Sequence, residues 1–375
     1  MKKISKILLL LFVCLICLCG CSNGRKILDK EEIIIENQLQ ETEIDNVYYY
    51  NFLSDDSKPY YLLLLEASKN YENSISGRFS FDSNDFNAAL NAFCLDYPIY
   101  YWWQTGMSTN YTSLMFTSTC KTEQTDFEEY INKIIETKDS ILQQCMTDNN
   151  YETIKNIHDY LVSTITYDLQ AENAHNIIGG LLNQRCVCDG YATCFKYLCN
   201  EAGFNCIIVE GFSINNETNG DHAWNKVELN NNWYCVDVTW DYQKQSDERK
   251  VNYNYFLITD DLLSIDHTAN NEYEYPKCDD DSLFYVNMPG KCFEYFDLKE
   301  IKDFIKDCID QGYYEFHLRF KNVEDASDEL DGDISENIVI KELHYDDTNN
   351  TIINPNSIAK VTKVVITVAS LLSLE

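Results

Sequence analysis

Residues 221–240 read Asp221-His222-Ala223-Trp224-Asn225-Lys226-Val227-Glu228-Leu229-Asn230-Asn231-Asn232-Trp233-Tyr234-Cys235-Val236-Asp237-Val238-Thr239-Trp240. Two runs rich in β-branched and aromatic residues flank three asparagines. That is the pattern of a β-hairpin, because Asn tolerates the positive φ that a tight hairpin turn demands. Strands are expected over 222–229 and 233–240. A two-residue loop at Asn230-Asn231 pairs 229 with 232, 224 with 237 and 222 with 239. His222 and Asp237 then stand as diagonal neighbours on one face. Their Cβ atoms are roughly 7 Å apart, within reach of an imidazole–carboxylate hydrogen bond. A strict three-residue loop would put them on opposite faces unless a bulge intervened. The alternation favours the first register. Val227 and Leu229 share a face with Val236 and Val238, which leaves the other face for polar side chains.

Upstream, Cys188 opens a helical run in which Tyr191, Ala192, Phe195, Leu198, Cys199 and Ala202 share one side. Gly203 sits where a C′ glycine is wanted. A strand over Cys206 to Phe212 follows. A helix N-terminus offers unpaired N–H groups and the positive end of a dipole. Both favour a thiolate over a thiol, and the N–H groups can hold a developing oxyanion. A thiol, a His and an Asp form a set in which imidazole takes or shares the thiol proton while the carboxylate fixes its tautomer. Singly, each residue says little. A Cys is ordinarily a small buried hydrophobe, and a lone His or Asp an ordinary surface or core residue.

Three blocks in order say more: Arg185-Cys186-Val187-Cys188-Asp189-Gly190-Tyr191-Ala192, then Asp221-His222-Ala223-Trp224-Asn225, then Trp233-Tyr234-Cys235-Val236-Asp237-Val238-Thr239-Trp240-Asp241. Gly203-Phe204 and Glu210-Gly211-Phe212 lie between them. Together they resemble the transglutaminase-like superfamily over about residues 150–245. Ile157-His158-Asp159-Tyr160-Leu161 and Tyr167-Asp168 resemble the helix that precedes the nucleophile in bacterial members. The resemblance implies an α+β, papain-like fold, with a nucleophile helix packed on an antiparallel sheet. It also implies acyl transfer at an amide through a thioester, with Cys188 as nucleophile, His222 as base and Asp237 as orienting acid. The pattern departs at Cys186, where the family usually has Gly, leaving a Cys-Val-Cys pair. Position at the helix start favours Cys188 as the attacking thiol. Gln184, four residues before it, is a candidate oxyanion donor. No cofactor is implied. Cys186, Cys188, Cys194, Cys199 and His222 could be read as zinc ligands, but none of these cysteines forms a Cys-x-x-Cys pair. Cys194 and Cys199 also lie about 140° apart around one helix. No metal is therefore expected.

Small mixed α/β modules are expected on both sides of the catalytic domain, which is taken as 149–283. Within it, a helix with Ile154, Ile157, Leu161 and Ile165 in register follows Asp148-Asn149-Asn150. The N-terminal module, 46–148, should hold a helix from Asn84 to Leu95, an aromatic strand from Ile99 to Trp103, and a long helix. That helix starts at Thr125 with Glu128 completing a capping box, and carries the stripe Phe127, Ile131, Ile134, Ile141, Cys145. The Tyr-Tyr-Trp-Trp run reads as a core strand and its rim rather than as a sugar platform. The C-terminal module, 284–375, should hold a helix after Asp297 and three strands, at 313–320, 337–345 and 361–368.

The chain has 375 residues with 16 Cys and a formal net charge of −32. So acidic a surface repels phosphate backbones, which argues against nucleic-acid binding. Lys2, Lys3 and Lys6 precede a continuous apolar run from Ile7 to Leu18. The run is too short for a bilayer, which needs about 20 residues, and has the length of a signal-peptide core. It ends in Leu18-Cys19-Gly20-Cys21, which resembles a bacterial lipobox. Residues 1–21 are therefore read as a lipoprotein signal with Cys21 as the lipidated residue, and 22–45 as an acidic tether. The remaining twelve cysteines are spread along the chain and read mostly as buried hydrophobes. The expected protein is exported and lipid-anchored at the extracytoplasmic face of the membrane. Its expected partner is a protein or peptide substrate at the cell surface. Hydrolysis of surface proteins or wall peptides is the first reading, amine cross-linking the second, and a catalytically silent binding module the third.

The lipobox predicts that radiolabelled palmitate enters the wild-type protein and not Cys21→Ala. Equal labelling of both would remove the anchor.

Overall fold

The computed structural model describes residues 27–33, 47–122, 126–213, 220–245, 248–251 and 253–283, together with parts of 290–367. The leader, Cys21 and most of the tether lie outside the described residues, as does most of the helix expected after Asp297. Leu28 and Ile33, within the expected tether, are buried in the core, and Arg78 N donates to Leu28 O at 2.8 Å.

Helix α1 (Lys58–Lys69) carries Pro59 in its first turn and buries Leu62 to Leu65. It packs on α2 (Ser83–Asp96), whose N-cap Asp82 accepts from the N–H groups of Asn84 and Asp85. Strands β1 (Ser74–Gly77), β2 (Met107–Tyr111) and β3 (Phe116–Cys120) form an antiparallel sheet in the order β1-β3-β2. The aromatic strand expected at 99–103 is instead a 3₁₀ turn over Tyr101–Thr105. Tyr101, Trp102 and Trp103 are all buried. A strand would send alternate side chains to opposite faces, whereas the turn sends all three into one core. Trp102 stacks on Phe127 at 4.3 Å, and Trp103 Nε1 donates to Ser68 Oγ at 2.6 Å. Helix α3 (Phe127–Cys145) buries the expected stripe. Its N-cap is Asp126 at φ 74°, with no side-chain cap bond, and Thr125, the expected start of the capping box, lies outside the described residues.

Helix α4 (Asn150–Thr164) is capped by Asn149, whose side chain accepts from Glu152 N at 3.3 Å. Two short parallel strands, β4 (Thr166–Tyr167) and β5 (Arg185–Cys186), lead into α5 (Cys188–Glu201). Gly203, at φ 91°, ends α5 in the left-handed conformation expected of it. Strands β6 (Cys206–Ser213), β7 (Gly220–Leu229) and β8 (Asn232–Val236) then form an antiparallel sheet. Asn230 and Asn231 both take positive φ, and Leu229 pairs with Asn232 as the two-residue loop requires. The register continues to Asn225 opposite Val236 and stops there. The expected pairing of 222 with 239 is not made, because the chain turns at Asp237 into a short helix, α6 (Val238–Asp241). Strands β9 (Tyr242–Gln245) and β10 (Glu248–Val251) form a hairpin, and α7 (Asp260–Leu263) follows. Strand β11 (His267–Ala269) then joins the free edge of β6, giving the order β11-β6-β7-β8. Helix α5 packs on β6 and β7, where Asn225 Nδ2 donates to Ala192 O at 2.9 Å and to Ile207 O at 3.1 Å. Helices packed on antiparallel sheets make the fold α+β. In the C-terminal part, β12 (Gly290–Tyr295), β13 (Glu315–Asn322), β14 (Val339–His344) and β15 (Lys363–Thr367) form a sheet in the order β12-β13-β15-β14. Three of these fall on the expected strands, and β12 lies parallel to β13.

The N-terminal elements meet α5 at one buried residue, Asp96. Asp96 accepts from the N–H groups of Tyr48 (2.9 Å), Tyr49 (3.0 Å) and Tyr50 (3.0 Å) and from Tyr61 Oη (2.8 Å). Lys196 of α5, also buried, donates to Asp96 O at 2.9 Å. Burial pushes the Asp96 carboxyl up and the Lys196 ammonium down, while each charge opposes the shift of the other. One hydrophobic core runs through both regions, from Leu28 to Leu257.

Asp96→Ala strands three N–H groups and a hydroxyl and removes the charge that faces the buried Lys196 ammonium, and is expected to cost about 3–5 kcal/mol in urea unfolding. Asp96→Asn, which keeps one acceptor, should cost clearly less.

Candidate active site

Cys188 is the first residue of α5 and is largely buried. Val187 before it is extended, and its N–H donates to Ala174 O at 3.0 Å, so the 168–177 loop holds the helix start in place. Two residues on, Gly190 has no room for a side chain. A Cβ there would lie 2.4 Å from Cys186 Cβ and 2.7 Å from Ala174 O. That contact is the physical reason for glycine at this point of the Cys-x-Gly block.

His222 lies on β7 opposite Gly211 of β6, and Asp237 is the N-cap of α6. His222 Nε2 donates to Asp237 Oδ2 at 2.7 Å. The side-chain contact read from the hairpin is therefore made, although the strand ends at Val236 and Asp237 lies beyond the paired register. Cys188 lies close enough to His222 to act on its imidazole, and its Sγ also approaches Asp189 Oδ1 at 3.9 Å, so the three predicted residues share one site. Burial pulls the His222 imidazolium down, but the charge and hydrogen bond of Asp237, then those of Cys188, outweigh it and push its pKa up to about 9. Burial likewise opposes ionisation of Asp237. The charges and hydrogen bonds of His222 and His267 overcome it and hold the carboxyl well below the usual range.

Asp237 has further partners. Its Oδ1 accepts from Thr239 N at 2.9 Å and Trp240 N at 3.1 Å. Its Oδ2 also accepts from His267 Nε2 at 3.0 Å. Sequence reading missed His267. It lies 30 residues beyond Asp237 and reaches it only because β11 adds to the edge of β6. The one available signal was Asp266-His267 beside apolar Ile265. Trp240 flanks both imidazoles, 5.7 Å from the His222 ring and 4.4 Å from the His267 ring.

Cys186 is fully buried, and burial, then Cys194, Cys188 and Asp189, push its thiol far up. It is thus poorly suited to attack. Gln184 takes a positive φ of 53°, and its side chain lies near Tyr160. Asp189 pairs with His175 Nδ1 at 2.5 Å, at the exposed rim. Asp241, the end of the third block, does not join the site. It accepts from His158 Nε2 at 3.1 Å and Tyr255 N at 3.0 Å, and so latches α4 to α6.

Among the described residues, two groups bring metal-ligand atoms within 4.8 Å of one another: His222, Asp237 and His267, and Cys235, Asp260 and Cys278. In the first, His222 and His267 both spend Nε2 on Asp237, while His267 Nδ1 is taken by Asp266. In the second, the Lys226 ammonium already sits 2.7 Å from Asp260. Neither donor set is arranged to receive a cation. Among the described residues the cysteines are free thiols, and no helix is long and apolar enough to cross a membrane.

Residues 136–238 match the profile of the transglutaminase-like superfamily. Kyphoscoliosis peptidase from Mus musculus is 31% identical over 150 residues, 35% of this chain and 22% of that protein. The Homo sapiens protein is 32% identical with the same coverage. The chain thus spans 22% of the length of these curated relatives. Among solved structures, a TGase overlaps 48% of this chain and 54% of its own at 16% identity and a TM-score of 0.25. The periplasmic domain of TgpA from Pseudomonas aeruginosa overlaps 34% and 56% at 16% identity and a TM-score of 0.24.

The site makes stability depend on pH. His222 and His267 have raised folded values, so their contribution is complete below about pH 6.5, the unfolded value, and is lost as pH rises to about 9. Asp237 has a depressed folded value. Its contribution is present above about pH 3.9 and is lost only as acid protonates the folded carboxyl. Unfolding midpoints should therefore be flat from about pH 4 to 6.5 and fall towards pH 9, and Asp237→Asn should flatten the alkaline fall. A wild-type midpoint that holds level from pH 6.5 to 9 would contradict the site electrostatics.

Proposed function

With a transglutaminase-like domain at residues 136–238 as premise, we propose that this chain is a cell-surface thiol enzyme that cleaves amide bonds through a thioester. The observation that carries the reading is the His222–Asp237 hydrogen bond at 2.7 Å, with Cys188 placed beside the imidazole at a helix start. His222 accepts the thiol proton, and the resulting imidazolium lies beside the carboxylate, which favours the ion pair. The Cys188 sulfur attacks the amide carbonyl. His222 passes its proton to the departing amine, and water, deprotonated by the same imidazole, releases the acid. The N–H groups at the start of α5 are the nearest donors for the oxyanion. The acidic surface, the leader and the lipobox support a substrate that is a surface protein or wall peptide met at the extracytoplasmic face. Transfer to an amine instead of water, giving a cross-link, uses the same residues and is the second reading.

Iodoacetamide at pH 6 should modify Cys188 before any other thiol, and His222→Ala should slow that modification at least tenfold. Cys188→Ala should abolish peptide release from a surface-protein extract, and Cys186→Ala should retain most of it. Early label on Cys186 would reassign the nucleophile. Incorporation of a labelled amine without peptide release would replace hydrolysis by cross-linking. No reaction at either thiol in the reduced protein would favour a silent binding module.

A further inference from the structure

His267 is held between two carboxylates. Its Nε2 is 3.0 Å from Asp237 Oδ2, and its Nδ1 is 2.6 Å from Asp266 Oδ1. A neutral imidazole donates from one nitrogen and accepts at the other, and a carboxylate oxygen cannot donate. With both carboxyls ionised, both contacts are favourable only if both ring nitrogens carry protons. Asp266 is itself braced, since its Oδ2 accepts from Tyr255 Oη at 2.6 Å. The ring is buried inside an aromatic enclosure of Trp240 at 4.4 Å, Trp224 at 5.1 Å and Tyr255 at 5.5 Å, with the His222 ring at 5.2 Å. The Trp240 and Tyr255 faces offer negative quadrupole to a cation. Gly211 makes the enclosure possible: a Cβ there would come within 2.2 Å of Thr268 O and 2.7 Å of the Trp224 ring.

We propose that His267 is a buried imidazolium and the positioning residue of this site, clamping Asp237 on the same oxygen that His222 uses. The active unit is then a chain of five groups, Cys188–His222–Asp237–His267–Asp266. The proposal takes the thiol-enzyme reading of Cys188, His222 and Asp237 as given. His267 does two things there. It stops the Asp237 carboxylate from rotating away when the His222 bond weakens during proton transfer. It also draws on the carboxylate charge, so that His222 holds its own proton less tightly than it would alone and returns it more readily to the leaving group. Burial opposes the charge on His267, and the bonds and charges of Asp237 and Asp266 more than compensate. The titratable and charged groups that face it are Asp237, Asp266, His222 and Tyr255.

The test is nitrogen-15 NMR of the full chain with labelled histidine, in wild type, His267→Gln and His267→Phe. In the wild type, both His267 nitrogens should show the imidazolium signature at pH 7 and lose it only around pH 9. Gln keeps one neutral donor to Asp237, and Phe fills the aromatic enclosure without donating. In His267→Gln the His222 titration should move upward, because a competing cation has gone. A residue that merely fills space would leave that titration where it was. Alkylation of Cys188 by iodoacetamide should slow roughly tenfold or more in the Phe variant and less in the Gln variant. A neutral His267 at pH 7 in the wild type overturns the proposal even if neither variant folds. So does an unmoved His222 titration in His267→Gln. If the NMR results hold while the wild type releases no peptide and incorporates no amine, the enzyme reading fails and the clamp stands.

Discussion

The carboxylate of Asp237 is the group on which the site is built. It is fully buried and accepts four hydrogen bonds: two from the backbone N–H groups that begin α6, one from His222 and one from His267. An isolated charge in such a place would carry a heavy desolvation cost, so it must be met by well-directed donors. Each donor is also a structural event. The two backbone bonds end β8 and start a helix. The His222 bond orients the imidazole that meets Cys188. The His267 bond ties β11, the last strand of the sheet, to the turn between β8 and α6. The geometry of the candidate site and the geometry of the sheet end are therefore one arrangement.

The same device recurs away from the site. Asp96 gathers three consecutive backbone N–H groups and a tyrosine hydroxyl, and its own carbonyl takes the buried Lys196 of α5. His158 has Asp159 at 3.0 Å on one nitrogen and Asp241 at 3.1 Å on the other, joining α4 to the helix that Asp237 begins. Three buried carboxylates thus fix three neighbours of α5: the N-terminal module, α4 and the hairpin. A buried acceptor with several donors specifies one arrangement, because any slip leaves polar groups unpaired. Apolar packing alone, with one core spanning both regions, would tolerate many.

The thiols sort by the same logic. Cys186 and Cys194 sit in apolar surroundings where burial pushes a thiol far up. Cys188, two residues after Cys186, stands where unpaired helix N–H groups and an imidazole converge. The Cys-Val-Cys pair thus divides into one sulfur packed in the core and one at a helix start.

By itself the sequence determined the local pieces: the hairpin register from Asn230-Asn231, the helix after Cys188 with its Gly203 stop, the stripes of α3 and α4, and the meeting of His222 with Asp237. These depend on residue spacing of 2 or about 3.6 and on turn chemistry, which act between near neighbours and are written in the order of residues. It was misleading where local preference lost to packing. Three successive aromatics that favour a strand became a 3₁₀ turn, because all three had to enter one core. A hairpin arm that reads as strand to Trp240 broke at Asp237, because a carboxylate there caps a helix. Only the tertiary structure decided that His267 shares Asp237 and that Asp241 leaves the site to bind His158. It also decided that Asp96 reaches Lys196 from 100 residues away. Those contacts join elements whose approach is set by sheet order and core packing, and no spacing along the chain encodes a distance that only the assembled layers create.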